Sequence, residues 1–521
     1  MFGWVKRRIQ FAKVINSSHE TIPIQKISTN LSENITCIKS ILQDSSDVIF
    51  RTLYIGKNQE VEAFLVAIDG LYDKKAIQDN IIKPLLSADF KNVDHSSRLE
   101  NIDKELLSLS SIKKERTMEK SVSLLLKGDP LLFIDGMDCV YVLGARTWEM
   151  RNIEEPITET VVRGPREGFV ETLRTNTSMI RRKLHNPNLR IKECTLGEIS
   201  KTEIAIIYID GLVSASVLQE VKKRLQKINI DAVLESGYIE EFIEDAPFSP
   251  FPTVANTERP DIVAARLLEG KVAIMVEGSA TALIVPYLLL ESFHSPEDYY
   301  SRPYYVSFVR IMRLFGFLTT TLAPASFVAF QDYHKEVLPN ELLISLAGSR
   351  EDVPFPLFLE VFIMLIFFEL LREAGLRMPR PVGQTISIVG ALVLGEAAVN
   401  AGFVGAPTVI VVALTAITSF LVTPLYDVAA LLRMIYLIAA EILGIYGISL
   451  VITLFLLHVA SLRSFGMPYM APWFPSIKGG WKDFLLRAPI RQLKESPQAF
   501  RKLKAIFEEN DSHKPNDRGE E

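Results

Sequence analysis

Five carboxylates lie in or beside long apolar runs in the C-terminal half of the chain: Glu360, Glu369, Glu373, Glu396 and Glu441. A charge at the centre of a bilayer costs about 2.5–3.5 kcal/mol on insertion scales, so each needs protein, water or a partner against it rather than lipid. Glu360, Glu369 and Glu373 sit near the ends of their runs, where anchoring at an interface or pairing with a nearby arginine is the ordinary role. Glu396 lies deeper and has Asn400 four residues on, which puts both on one helix face. Glu441 stands alone in the last run. Gln384, Ser387, Ile388 and Ala391 fall together on a helical wheel, and Ala391, Gly395, Ala398 and Gly402 continue that face as a small-residue stripe. Small residues let membrane helices approach closely. The same face, repeated around an oligomer axis, would leave room for ions. The residues alone leave both readings open.

Arg310 and Arg313 lie one helical turn apart near the start of another apolar run, a position from which long side chains reach water by snorkelling. In the polar half the densest constellation is Glu159–Leu184. There Arg163, Gly164, Pro165, Arg166, Glu167 and Gly168 make a turn ahead of a helix loaded with Arg174, Arg181 and Arg182. An anion at the helix start is one reading. A charge network at a domain or subunit interface is the commoner outcome and the one expected here. No Ser-His-Asp or Cys-His arrangement is suggested, and the seven histidines are scattered without metal-ligand spacing. Cys37, Cys139 and Cys194 form no CxxC, and neither GxGxxG nor GxxxxGK[ST] occurs. No catalytic residue, cofactor or metal is expected, and the chain reads as a non-enzyme.

The elements that hold these residues divide sharply. A chain of 521 residues is too long for one core. Its mean hydropathy of +0.19 hides a polar front and an apolar back. A net charge of -5 argues against a nucleic-acid partner. The N-terminus is basic without a continuous apolar core, so it does not read as a signal peptide, and the front half is expected in the cytosol. The expected fold is an α/β cytosolic region of two subdomains followed by an all-α polytopic membrane domain. Residues 1–30 read as a mobile lead-in, 31–146 as a first α/β subdomain and 147–246 as a second, with helix-strand-strand-helix order. Residues 247–302 read as a proline-rich strap with an interfacial segment at Thr281–Leu290, and 464–521 as a basic polar tail. Within the front half, Glu167–Leu184 is expected to be helical, Ser110–Arg116 a polar connector, and Leu131–Asp135 with Cys139–Leu143 a hairpin.

Residues 303–463 hold apolar runs of the length a bilayer demands, four to six spans in all. They are Tyr305–Phe330, Phe355–Leu371, Thr385–Val404, Thr408–Val422 and Val428–Leu462. The last is long enough for two halves meeting at Gly444 and Gly447. Arg372, Arg377 and Arg380 place the loop between the second and third runs in the cytoplasm, and the uncharged loop at Asn400–Pro407 on the far side.

Several long motifs appear in a familiar order: VVRGPREGFVETLRTNTSMIRRKL, SPFPTVANTERPD, HSPEDYY, SFVRIMRLFGFLTTTLAPASFVA, LPNELLISLAGSREDVPFPLFLEV, LREAGLRMPRPVGQTISIVGALVLGEAAV and SLRSFGMPYMAP. Over about Gly128 to Pro475 the chain resembles the GerA-type spore germination proteins, the A subunits of germinant receptors, including their SpoVAF-type branch. The resemblance implies a multi-pass protein of the spore inner membrane. It implies a transporter-like B subunit and a lipoprotein C subunit as partners, and a nutrient trigger. It further implies a homo-oligomer, a pentamer, acting as a cation channel in contact with membrane lipid. A transporter using Glu396 or Glu441, or a membrane-anchored scaffold, are the rival readings.

Overall fold

The structure is a computed structural model that describes residues 25–43, 45–57, 61–87, 112–147, 156, 159, 163–378, 395–474 and 486–489. The described chain forms two compact units. One is built from residues up to Glu244 together with Val254–Pro286; the other takes Asp245–Thr253 and the chain from Tyr287 onward.

The first unit is a structural duplication. Its first half runs α1 (Leu31–Leu42), β1 (Val48–Ile55), β2 (Val61–Ile68), α2 (74–87, with a π turn at Gln78–Ile82), β3 (Ile112–Glu115), α3 (Met118–Leu125), β4 (Leu131–Ile134) and β5 (Val140–Leu143). Its second half repeats the order with α4 (Leu173–Lys183), β6 (Leu189–Leu196), β7 (Thr202–Ile209), α5 (Ala215–Gln226), β8 (Ala255–Thr257), α7 (Pro260–Leu268), β9 (Val272–Val276) and β10 (Ala282–Val285). One helix, α6 (Ser236–Ile243), is added between α5 and β8. The two five-stranded sheets have matching strand orders, β1-β2-β4-β5-β3 and β6-β7-β9-β10-β8. Both are antiparallel throughout, and their registers correspond: Ala63 faces Ile134 as Ile204 faces Val276.

The same local chemistry builds each copy. In the first, the Asn34 side chain accepts from the Ser28 amide (3.0 Å) and donates to the Ser28 carbonyl (2.7 Å). In the second, Asn176 does the same to Val170 (2.8 and 2.5 Å). The Leu31 amide, at the start of α1, donates to Asp135 (3.2 Å), and the Leu173 amide, at the start of α4, donates to Glu277 (2.7 Å). Gly128 and Gly270 hold positive φ (+99° and +91°), where a Cβ would meet the Leu71 carbonyl at 2.9 Å and the Leu212 carbonyl at 2.6 Å. Only glycine fits both conditions. Each sheet is covered on both faces, so β2 and β7 read as almost continuous apolar runs rather than alternating ones. On the first sheet α1 and α3 cover one face and α2 the other. On the second, α4 and α7 cover the equivalent face to α1 and α3.

Three expectations change here. Ser110–Arg116 contains strand β3, which pairs with β5 at the sheet edge rather than forming a connector. The helix expected from Glu167 begins at Leu173, after an extended Thr172, with Asn176 fastening the preceding backbone at Val170. Thr281–Leu290 is not an interfacial segment: Ala282–Val285 is the fully buried strand β10, paired on both sides by β9 and β8. The second subdomain therefore extends past residue 246 to take in Val254–Pro286, and of the expected strap residues 247–253 and 287–302 belong to the other unit.

The second unit is helical. It comprises α8 (Pro303–Val328), α9 (Asn340–Gly348), α10 (Leu357–Arg377), α11 (Ala406–Ser419), α12 (Tyr426–Leu443) and α13 (Ile445–Ser461), with a further helical turn at 395–400. A π turn, Ala329–Tyr333, prolongs α8. Gly316 lets α11 come close: a Cβ there would lie 2.8 Å from the Leu421 side chain. Thr320 donates to the Thr415 carbonyl across the same contact (3.0 Å). The expected break at Gly444 is present, with φ +60° ending α12 before α13 begins. The proline-rich segment is packed rather than loose. Phe251 lies buried against Phe455 and Tyr469, and Ser464 donates to the Thr253 carbonyl (2.6 Å).

Candidate functional site

Three clusters of charged residues sit inside the helical unit, each tying separate elements together. The first is at the entry to α8. The turn Pro296–Tyr299 folds the chain back so that Asp298 meets the face of α8 that carries Arg310 and Arg313. Arg310 Nε donates to Asp298 at 2.8 Å, and Arg313 Nη1 reaches both carboxylate oxygens at 3.0 and 2.9 Å. Arg310 has 0% of its surface exposed. The expectation that these arginines snorkel to water is thus corrected: both pair with Asp298 inside the protein instead of reaching solvent.

The second cluster centres on Glu360, wholly buried in the first turn of α10. It accepts from Arg350 Nε (2.9 Å), the Gly405 amide (3.0 Å) and the Thr408 hydroxyl (3.1 Å). One carboxylate so fixes the loop before α10 to the start of α11. The third cluster joins α10 to α12. Glu369 accepts from Arg433 Nη2, from the Tyr426 hydroxyl (3.1 and 2.9 Å) and lies 3.3 Å from Arg372 Nε. The Arg372 guanidinium lies 3.5 Å over the Tyr426 ring. Glu373 pairs with Arg377 one turn along α10 (2.7 Å). The pairing expected for Glu360, Glu369 and Glu373 is therefore observed for all three.

The other candidates from the apolar runs fare differently. Gln384, Ser387, Ile388 and Ala391 lie outside the described residues. Glu396 and Asn400 are both exposed on the helical turn at 395–400, and Gly395 is buried, where a Cβ would touch Val409 at 3.4 Å. Glu441 is half-buried, and its carbonyl accepts from the Tyr333 hydroxyl. One described helix is long and apolar enough to cross a bilayer, Pro303–Tyr333 with its π turn. Ala406–Ser419 and Thr423–Leu443 pass the same test only as a pair bent by 113°.

In the α/β unit, Arg163 and Arg166 are exposed on the loop before α4. Glu167 bridges Arg182 (2.9 Å) and Lys183 (3.1 Å). Burial works against its charge, but these two cations hold its carboxyl below the usual glutamate range. Arg259, fully buried, donates to Asp261, to the Glu159 carbonyl (3.2 Å) and to the Pro165 carbonyl (3.0 Å), fastening the loop from behind. Arg181 is also buried. It makes a two-point pair with Asp47 (2.7 and 3.0 Å) and bonds Ser45 (2.9 Å), so that the first repeat grips the second. Beside it the Ser46 amide donates to the Ile191 carbonyl at 2.8 Å. The equivalent place in the second repeat is Pro187, which has no amide to offer, so the docking is not repeated. Sequence reasoning missed Asp47, Asp298, Arg350, Arg259 and Arg433 as partners. The only available signal was an isolated charge type at each place, too common to single out. Among the described residues no group of three His, Cys, Asp or Glu is placed to hold a metal ion.

These clusters are structural in chemistry: they neutralise charge and fix helices, and they present no nucleophile with an adjacent base. Comparison with known proteins adds the biology. Residues 36–499 match the Bacillus/Clostridium GerA spore germination protein family. The chain is 44% identical over 479 residues to spore germination protein KA of Bacillus subtilis (strain 168), covering 91% of this chain and 88% of that protein. It is 36% identical over 476 residues to spore germination protein GerLA of Bacillus cereus, covering 91% and 96%. The crystal structure of the N-terminal domain of the A subunit of the Bacillus megaterium spore germinant receptor GerK3 is 35% identical, with a TM-score of 0.41 over 51% of this chain and 98% of that one.

Proposed function

We infer the role of this chain from one premise: it belongs to the Bacillus/Clostridium GerA spore germination protein family. It serves as an A-type subunit of a nutrient-responsive germination receptor, without catalytic activity of its own. Its helical unit lies in the spore inner membrane and its duplicated α/β unit in the cytosol. It assembles with a transporter-like B subunit and a lipoprotein C subunit.

One observation carries the membrane reading. The helical unit buries charged and hydroxyl groups within its core while it exposes large apolar side chains. Arg310, Arg433, Glu360, Thr320 and Thr415 are buried, whereas Phe308, Phe315, Ile410, Ile417, Ile442 and Leu454 are exposed. In water such a surface would aggregate. In hydrocarbon it is the low-cost arrangement, because lipid accepts the apolar faces while Arg310, Arg433 and Glu360 each meet a counter-charge within the protein. The paired charges of α10 let it join α8, the bent α11–α12 pair and α13 in the bilayer.

Several copies of this unit gather around a shared axis and conduct cations when nutrient binding to a partner favours the open packing, by no more than the ligand's differential affinity for the two states. The exposed Glu396 and Asn400 supply the lining. The bent pair also suits a transporter, in which Glu441 would carry the coupled ion. Purified protein in liposomes separates the two. A channel gives cation flux without a coupling gradient from a multi-copy ring, and a monomer that moves cations only in exchange for protons overturns the channel reading.

A further inference from the structure

The α10–α12 cluster does not balance. It holds two guanidinium groups, Arg433 and Arg372, against one carboxylate, Glu369. That carboxylate is further shared with a third donor, the Tyr426 hydroxyl, whose single hydrogen faces both oxygens. Arg433 has 1% of its surface exposed, yet its Nε and Nη1 find no hydrogen-bond acceptor. The Phe368 ring lies 5.9 Å from its guanidinium carbon and offers no in-plane acceptor. Neighbouring acids do not correct the sum. Glu373 is taken by Arg377, and Asp427 is exposed and, among the described residues, paired with neither arginine. Buried donors without acceptors are costly enough that native proteins rarely keep them.

We propose that this seam binds a phosphate monoanion, the headgroup of an anionic phospholipid, between Arg433 and Arg372. The inference rests on the membrane reading above. Placement favours lipid as the source. The cluster lies towards the C-terminal end of α10, where the basic loop marks the cytoplasmic boundary and headgroups reside. Arg372 is a quarter exposed and held flat on Tyr426, so it is the outer member that an arriving headgroup meets first. Phe367, Leu370 and Leu431 are exposed on the same two helices and suit acyl chains. A second copy of the chain is a poorer source. Glu441 lies eight residues along α12 from Arg433, about 12 Å at 1.5 Å per residue, so at matched depth a neighbouring copy's Glu441 falls short of the site. Glu396 adjoins the loop assigned to the opposite face. Arginine suits phosphate because its planar fork meets two oxygens at once.

The test is thermal unfolding of the full-length protein in phosphate-free maltoside micelles, with added phosphatidylglycerol, with inorganic phosphate, or with chloride. Phosphatidylglycerol is expected to raise the wild-type midpoint by about 2–4 °C. Glu369→Gln, which leaves both cations uncompensated, should show a larger rise, although a plain salt-bridge role predicts only damage. Arg372→Gln should lose at least half of the rise. Arg377→Gln, removing an exposed cation outside the cluster, should respond as the wild type does. Equal responses from wild type, Glu369→Gln and Arg372→Gln would overturn the proposal. So would an equal rise from inorganic phosphate, which assigns the site to free phosphate. A midpoint that climbs with protein concentration rather than lipid assigns the acceptor to a second copy and likewise overturns it. Protein that stays monodisperse without any detergent refutes instead the membrane reading beneath it.

Discussion

Replacing Asp47 by alanine should loosen the two halves of the α/β unit from each other while leaving each sheet intact. The side chains of Asp47 and Arg181 are each only 2% exposed, so the pair is desolvated on both sides. The substitution removes two charge-assisted hydrogen bonds to Arg181 (2.7 and 3.0 Å) and the Ser45 bond to the carboxylate (2.9 Å). Arg181 then keeps only Ser45, and its Nη1 already has no acceptor. Orphaning one member of a buried pair costs about 3–5 kcal/mol, a large share of the roughly 5–15 kcal/mol that holds a typical domain. The unfolding midpoint of this unit should fall by about 10 °C. The measurement is thermal unfolding of the full chain in detergent, with hydrogen exchange followed at the α4 and β6 amides. Arg181→Met in the Asp47→Ala background should restore much of the loss, since the uncompensated charge goes with it. A cost below about 1 kcal/mol for Asp47→Ala, or no recovery in the double variant, would show that the pair does not hold the repeats together.

Glu240 supplies a pH dependence. Burial, then repulsion from Glu244, pushes its carboxyl up to about 7, while a hydrogen bond with Asn256 works the other way. A raised folded-state value means that folding favours the protonated form. Its contribution is present below the ordinary glutamate range and is lost as pH rises towards 7. Glu240→Gln should therefore be neutral near pH 4.5 and stabilising near pH 8, by about 1 kcal/mol once solvent screening is allowed for. Denaturation midpoints of the two proteins that run parallel across this range would refute it. Gly444→Ala should destabilise the helical unit by about 3 kcal/mol. The position has φ +60° and ψ −137°, and a Cβ would stand 2.9 Å from both Tyr333 Cβ and His334 Cε1. An unchanged unfolding midpoint in detergent would show that the α12–α13 break does not depend on glycine.

The chain's division was legible because it is written in local composition: charged and β-branched segments in front, long apolar helical runs behind. The hairpin at Leu131–Leu143 and the break at Gly444 both follow from residue types within a few positions of one another. The pairing of Glu360, Glu369 and Glu373 followed from the cost of an isolated charge in an apolar setting. The duplication was not legible. The two halves share few residues, among them Ile68-Asp69-Gly70-Leu71 and Ile209-Asp210-Gly211-Leu212, at places where a turn or a close approach demands them.

Residue types within a few positions of one another were enough for most helices and the long strands, for the split into a polar and an apolar half, and for the carboxylates that need a cation, but not for the short strands β3 and β10. What only the tertiary structure decided was who those partners are. Asp298 beneath Arg310, Arg433 beside Glu369, and β10 closing a sheet rather than resting at an interface all depend on residues brought together from distant positions. Periodicity reports the face a side chain occupies, but strand order and buried ion pairs are chosen by the free energy of the assembled core, in which each desolvated charge must find its counter-charge before the packing can close.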